Sequence, residues 1–365
     1  MYEDKTIANI KTEMMDDIDD SYEKTEGNPT ADIIESFAIQ SGSLWSALQY
    51  LYNKVDIDLL VGNDLTKYVL QRKAIVRKVA NRALAILTIT GNGNIKVGDL
   101  FSTKSNIQFV SLEDVTIVNS ATINVQAVLA GIIGNVGANS IIQFPVTIAG
   151  ILSCNNPLAS YDGFEEEDDD TVRERYYQAL QVAPTSGNIF HYELWAKACK
   201  GVGDCRVLPL WNGDNTVKVI IIDSNKQVAS QTIIDSVQND IDPKGIYDSV
   251  SNTWSTWGTG TGEAPVGAYC TVVTATDKPI NISVNVVESL SFSLDTIMTN
   301  ISTSISNYLA SIAFKENYIS YAKVSAMVLD TVGVLDFTDL KVNGGTVNIT
   351  VGNEEVAMVG EVTAT

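Results

Sequence analysis

Near Leu84 the spacing of apolar residues changes from a helical period to a two-residue alternation, so the chain must form helices first and sheet afterwards. Ahead of the switch, Ile33, Phe37, Leu44, Leu48, Leu51 and Val55 recur at helical spacing from Asn28 to Asp56, widened by Ile34, Trp45 and Tyr52. This predicts a long amphipathic helix with that stripe inward, Asn28 as its cap and Pro29 in the first helical position, where a missing N–H costs nothing. Ile7, Ile10, Met14 and Ile18 predict a shorter helix before it. A third helix is expected over 64–82, with Leu65, Tyr68, Val69, Ile75, Val76 and Val79 inward. Its other face carries Lys67, Arg72, Lys73, Arg77, Lys78 and Arg82, which suits either an acidic partner or a solvated surface.

After the switch, Leu84–Thr90 and Ile95–Phe101 flank Gly91-Asn92-Gly93-Asn94, a spacing that predicts a hairpin. From Thr122 to Ala130, Ile123, Val125, Ala127 and Leu129 alternate with polar residues, and an antiparallel domain is expected to end near Cys154. The acidic run Glu165–Asp170 then leads into a helix, whose N-terminal N–H groups favour carboxylates; a Ca²⁺ loop is the less favoured reading, because its ligands alternate around a sharp glycine turn.

The remainder contains an echo. Lys200-Gly201-Val202 follows a helix over 189–199 and leads through a strand and the Asn212-Gly213 turn into Thr216–Ile220. Thr331-Val332-Gly333-Val334 likewise follows a helix over 320–329 and leads through a strand and Asn343-Gly344-Gly345 into Thr346–Ile349. Between the two lies a Ser/Thr/Gly-rich loop, 245–267, with Trp254 and Trp257, which either folds back on its domain or presents the rings to a sugar or a protein. The expected fold class is therefore α+β multi-domain: an N-terminal helical region (1–83), an antiparallel β-rich middle domain (84–158), a first α+β module with the Trp-containing loop (159–278) and a second, related small α+β module (279–365).

Chemistry is sparsely provided for. A formal net charge of −20 opposes binding to nucleic acid or to an acidic membrane surface, and no apolar run of bilayer length occurs, so neither nucleic acid nor membrane is expected as a partner. The N-terminus is acidic and unlike a secretory signal. Cys154, Cys199, Cys205 and Cys270 are scattered, which reads as buried thiols, and one histidine, His191, leaves few ways to build a triad or a zinc site. Phosphate-binding, nucleophile-elbow and zincin motifs are missing, and the abundance of carboxylates gives hydrolase chemistry no specific support. No catalytic, cofactor-binding or metal residue is assigned.

The order of several short segments is distinctive: Gly131-Ile132-Ile133-Gly134-Asn135-Val136-Gly137, then Ile148-Ala149-Gly150-Ile151, Asn156-Pro157, Gly163 with the acidic run, and Val172-Arg173-Glu174-Arg175. Pro184-Thr185-Ser186-Gly187-Asn188, Lys200-Gly201-Val202 and Pro265-Val266-Gly267-Ala268 continue it. Through roughly residues 30–365 this order resembles the baseplate J-like family of contractile-tail phages and R-type tailocins, while Val61-Gly62-Asn63-Asp64-Leu65 matches the family's N-terminal pattern only loosely. Physically the motif residues look architectural: glycines for turns, Asn156-Pro157 for an extended linker, Arg173 and Arg175 for carboxylate pairing.

The resemblance implies a non-enzymatic wedge subunit of a phage or tailocin baseplate, assembled in the bacterial host cytoplasm. It also implies partners: a second copy of the chain, a smaller tail protein of the tail protein I type, a lysozyme-like baseplate protein, and hub and sheath components. The implied role is to hold the ring and transmit the trigger for sheath contraction. A surface adhesin or glycan-binding module using the Trp254 to Trp257 loop is the alternative.

Overall fold

The computed structural model describes residues 4–181, 187–289 and 291–364, which divide into two compact units: 1–77 with 168–178, and 78–167 with 179–365.

In the first unit α1 (Ile7–Asp16) is capped by Thr6, and α2 (Pro29–Asn53) by the Asn28 side chain, which accepts from Thr30 N, with Pro29 opening the helix. Of the large residues in the predicted stripe of α2, Ile34 is buried but most of the others are not. Ala31, Ile34, Ala38 and Gly42 are buried, whereas Ile33, Phe37, Leu44, Leu48, Leu51 and Val55 are exposed, Leu44 and Val55 at 68% and 70%. The cause is close packing of α1: a Cβ on Gly42 would lie 2.7 Å from Ile7 Cγ1, so the small-residue face admits the neighbouring helix and the bulky stripe is left outside. A Lys11–Glu35 ion pair at 2.8 Å ties the two helices at their surface.

The third helix also departs from expectation. α3 (Gly62–Lys73) buries Leu65 and Val69 but stops at Ala74, a left-handed C-cap (φ 54°) whose N–H returns to Leu70 O. The β-branched residues beyond it lose side-chain freedom in a helix and continue as irregular chain, leaving Val76 and Val79 exposed.

The second unit begins with β1 (Leu84–Ile95), β2 (Leu100–Thr103), β3 (Gln108–Ser111), β4 (Val115–Ala127), β5 (Ile141–Gln143) and β6 (Ile151–Asn155). They form one antiparallel sheet ordered β5-β2-β3-β4-β1-β6. Its edge strands approach each other, with Cys154 Sγ 3.9 Å from Gln143 O, so the sheet nearly closes into a barrel around Leu87, Ile89, Phe101, Phe109, Ile117, Ile123 and Val125. Gly91-Asn92-Gly93-Asn94 is not a hairpin turn. It lies inside β1, paired in register with Thr116–Asn119, because those two glycines let the 149–151 segment cross directly over the strand. Leu129, expected inward, is exposed.

Then follow α4 (Asp169–Gln181), which spans the division between the two units, α5 (Ile189–Ala198), β7 (Val202–Pro209), β8 (Thr216–Asp223), α6 (Gln231–Ile241), the ribbon β9 (Tyr247–Asp248) with β10 (Thr253–Trp254), and β11 (Tyr269–Thr274). In the sheet β11-β8-β7, the central strand β8 runs antiparallel to β7 and parallel to β11. Its run Val219–Ile222 is buried on both faces: Val219 and Ile221 against α5 and α6, Ile220 and Ile222 in a second core with Ala275, Ala313 and Val356.

The last module comprises β12 (Thr276–Glu288), α7 (Leu294–Ile312), β13 (Tyr318–Ile319), α8 (Tyr321–Leu329), β14 (Val334–Val342), β15 (Ile349–Thr350) and β16 (Glu355–Ala364). The sheet β14-β12-β16 again has a central strand with one antiparallel and one parallel neighbour. The two modules thus share a sheet type, but the repeat seen in sequence does not superpose strand on strand. The expected strand 346–349 shrinks to β15, which pairs with β13, and the central role passes to β12. Only Ala275 separates β11 from β12, and Arg206 donates to Gly352 O and Asn353 O while Lys218 pairs with Glu354, so the two modules are joined by a core and a polar seam.

Candidate functional site

The motif residues of the middle segment come together where the near-barrel meets the first module, and they do so through backbone bonds. Asn135 behaves as one residue of a strand: its Nδ2 donates to Gly163 O and its Oδ1 accepts from Gly163 N, both at 2.9 Å. A Cβ on Gly163 would sit 2.6 Å from that Oδ1 and 2.7 Å from Gly131 O. Gly134 faces the methyls of Ala127 and Ala83, where a Cβ would come within 2.8 and 2.9 Å. Val136 N donates to Ser160 Oγ at 2.6 Å, and that hydroxyl donates on to Gly134 O at 2.7 Å. Gly131, at φ +112°, donates to Asn81 O.

Asn156 is the most committed of these residues. Fully buried, its Oδ1 accepts from Ser140 N and Ile141 N, and its Nδ2 donates to Gly137 O and Leu158 O, all at 2.8 Å. The expected extended linker is therefore a knot that fastens the loop before β5 to the exit of β6, with exposed Pro157 following. Gly150 (φ +79°) crosses β1 so closely that a Cβ would collide with Asn92 O. Gly150→Ala should lower stability by about 3 kcal/mol in urea unfolding, combining left-handed strain with a backbone clash; an unchanged midpoint would show that the crossing is not tight.

The acidic run is taken up carboxylate by carboxylate. In the second unit Glu165 accepts from Ile132 N at 3.0 Å and Glu167 from Lys78 N at 3.0 Å. In the first, Asp168 caps α4 through Thr171 N, Asp169 accepts from Gly62 N and pairs with Arg77, and Asp170 binds Arg173 at 2.6 Å. The Arg77 hydrogen bond, helped by Gly62 N–H, holds the Asp169 carboxyl below its usual range. Arg173 also donates to Ile57 O and Leu60 O, and Arg175 to Val76 O. Two of the basic residues expected to meet a partner or water thus serve the chain itself: Arg77 meets Asp169, and Lys78 Nζ donates to Val202 O at 2.5 Å.

Gly187 (φ +73°) packs on Pro265, Gly201 (φ +86°) on Ile233 and Phe164, and Gly267 (φ +85°) has open space at its Cβ position. Pro184, Thr185 and Ser186 lie outside the described residues.

Burial pushes the thiol of Cys154 up to about 11 and those of Cys199 and Cys270 up to about 12, and raises Cys205 as well, so all four stay protonated and un-nucleophilic. His191 stacks on Trp195 at 4.1 Å and accepts from Gly187 N. Among the described residues no group of three or more His, Cys, Asp or Glu side chains could hold a metal ion, and no helix is long and apolar enough to cross a membrane.

Trp257 folds back, its Nε1 donating to Cys270 O at 2.8 Å, while Trp254 stands on the β9–β10 ribbon against Tyr247. Sequence reasoning missed what surrounds Trp257. Gln238 donates to Cys270 O and accepts from Val272 N, and the carboxylate of Asp242 accepts from Cys270 N and Gly258 N. These side chains occupy the open edge of β11 as a further strand would; no spacing in the sequence announces them.

Asp223, buried and accepting from Gln227 N, has its carboxyl pushed up to about 6, by burial first and by the charge of Asp162 in addition. The folded chain then binds this proton more tightly than the unfolded one, so stability should fall by up to about 3 kcal/mol as pH rises from about 4 to 6. Asp223→Asn should remove that slope in urea titrations across the window; an identical slope would assign it to other groups.

Three family models match in chain order: the baseplate J-like protein barrel domain at residues 86–163, the baseplate J-like central domain at 184–274 and the baseplate J-like protein C-terminal domain at 280–365. The chain is 30% identical over 368 aligned positions to the uncharacterized protein YqbT of Bacillus subtilis (strain 168), covering 99% of this chain and 98% of that one. It is 28% identical, with the same coverage, to the phage-like element PBSX protein XkdT of the same organism. A 156-residue stretch, 41% of this chain and 43% of the relative, is 28% identical to baseplate protein gp47 of Escherichia phage Mu. Among solved structures it is similar to a chain in the cryo-EM structure of the anti-feeding prophage (AFP) baseplate, 6-fold symmetrised, at 10% identity and a TM-score of 0.37, covering 99% of this chain and 93% of that chain.

Proposed function

Because this chain belongs to the baseplate J-like family, we propose that it is a non-enzymatic structural subunit of the baseplate wedge of a contractile phage tail or tailocin. In this reading it works in four parts: a helical arm (1–83), the β-rich domain (84–158), and two α+β modules (159–278 and 279–365).

The observation that carries the proposal is the exposed stripe of α2. Phe37, Leu44 and Leu51 repeat at seven residues, with Leu48 beside them, the spacing of a helix that packs along another helix. Apolar surface of this kind marks a protein interaction site. The proposed occupants are the arm of a second copy and a helix of the smaller tail protein. A second apolar surface, with Val250 at 94% exposure together with Ile246, Tyr247 and Trp254, projects from the first module and suits a neighbour in the ring, hub or sheath, or the lysozyme-like protein.

The motif residues fit such a role because they fix joints within each unit, and in this reading the ring passes a trigger to the sheath. Particles produced without this chain should show absent or malformed tail tips by negative-stain microscopy. Intact tails that contract on cue would refute the proposal.

A further inference from the structure

In each sequence repeat the glycine after the last helix is packed by its own module, Gly201 by Ile233 and Phe164 and Gly333 by Ile297 and Phe292. In the first, Val202 O also receives Lys78 Nζ, so the turn is covered by its own chain. In the second, Val332 is 62% exposed, and Asp330–Val332 form one wall of an open cleft of about 580 Å³. Phe292 and the outer face of α7 form the rest, with Thr296, Asn300, Thr303, Ser304 and Asn307.

The chemistry of this lining is specific. In a chain of net charge −20 the cleft holds one carboxylate, Asp330, and no cation. Asn300 Nδ2 is fixed on Val332 O at 3.0 Å, which leaves its Oδ1 as an oriented acceptor. Thr303 and Thr331 donate their hydroxyls to Thr299 O and Met327 O, at 2.9 and 2.7 Å, and so present acceptor lone pairs to the cleft. Among the described residues no hydrogen bond engages the Ser304 hydroxyl, the Asn307 amide or the Asp330 carboxylate, all of which line the cleft. Phe292 adds a partly exposed ring at one end.

We infer that this cleft is a binding site for a neutral saccharide. A sugar ring supplies many hydroxyls that both donate and accept, matching an acceptor-rich wall with one free amide, and its C–H face suits the Phe292 ring. The volume falls within the range of small-ligand sites, about 300 to 1,000 Å³. With a carboxylate and no cation in the lining, phosphates and acidic sugars are excluded by charge. The inference is independent of the baseplate reading, since a chain with any architectural role could carry such a cleft.

The test is saturation-transfer NMR on the full chain with glucose, galactose, mannose and N-acetylglucosamine, and glucose 6-phosphate as the anionic control. At least one neutral sugar should show saturable transfer while the phosphate shows none. Asn307→Ala, at an exposed position that leaves the core intact, should weaken binding about tenfold, and Phe292→Ala should do the same. Failure of all four neutral sugars to bind, unchanged binding in both variants, or a protein neighbour filling the cleft in an assembled particle would each overturn the inference.

Discussion

Asn156→Ala is expected to be the most destabilising single substitution in the near-barrel, lowering stability by about 4 kcal/mol. Four hydrogen bonds meet at this one fully buried amide, two of them from the backbone N–H groups of Ser140 and Ile141, which enter β5. Alanine supplies neither the acceptor nor the donors. A buried polar group left without a partner costs about 1 to 3 kcal/mol, more than the net contribution of a bond between two satisfied partners. Asn156→Asp keeps the acceptor but turns a buried carboxylate oxygen toward Gly137 O and Leu158 O, and at neutral pH should destabilise at least as much as alanine. Urea unfolding followed by Trp fluorescence and far-ultraviolet circular dichroism measures this. A loss under about 1 kcal/mol for alanine would mean that the loop before β5 is held by something else.

How much of this the sequence revealed varied with the kind of signal. Caps and glycine turns were legible because they act locally: Asn28 with Pro29 opens α2, and Gly201 turns out of α5, as their positions suggested. The alternation at Ile123, Val125 and Ala127 named the inward face of β4 for the same reason, since a two-residue period has one reading. The stripe of α2 misled because both of its faces are apolar, and size favoured the wrong one. Which face is buried depended on α1, and the cue was Gly42, a small residue where a neighbouring helix needs room. Gly91 and Gly93 misled in a similar way. A glycine pair between apolar runs usually marks a turn, but here the glycines admit a crossing segment sixty residues away in the chain. Asn135, Asn156 and Asp242 work entirely through such non-local partners, so their identity was visible while their task was not.

The second large effect concerns assembly rather than folding. Phe37→Glu, Leu44→Glu and Leu51→Glu, combined in one chain, should leave the unfolding midpoint of the isolated protein nearly unchanged, because all three side chains are already solvent-exposed. The same changes should abolish incorporation into particles, since a helix interface would have to desolvate three carboxylates without partners. Complementation of a strain lacking the wild-type chain, scored by tail counts in the electron microscope, reads the effect. A control at Ala38, on the buried small-residue face, should do the reverse: Ala38→Leu should destabilise the pairing of α1 with α2.

The position of this chain in an assembled tail tests the proposed wedge role most directly. A cryo-EM reconstruction of the tail tip at side-chain resolution should find it in the ring around the hub, with Phe37, Leu44 and Leu51 of α2 covered by helices from other chains. A complete tail tip without the chain, or with that stripe still facing water, would contradict the account.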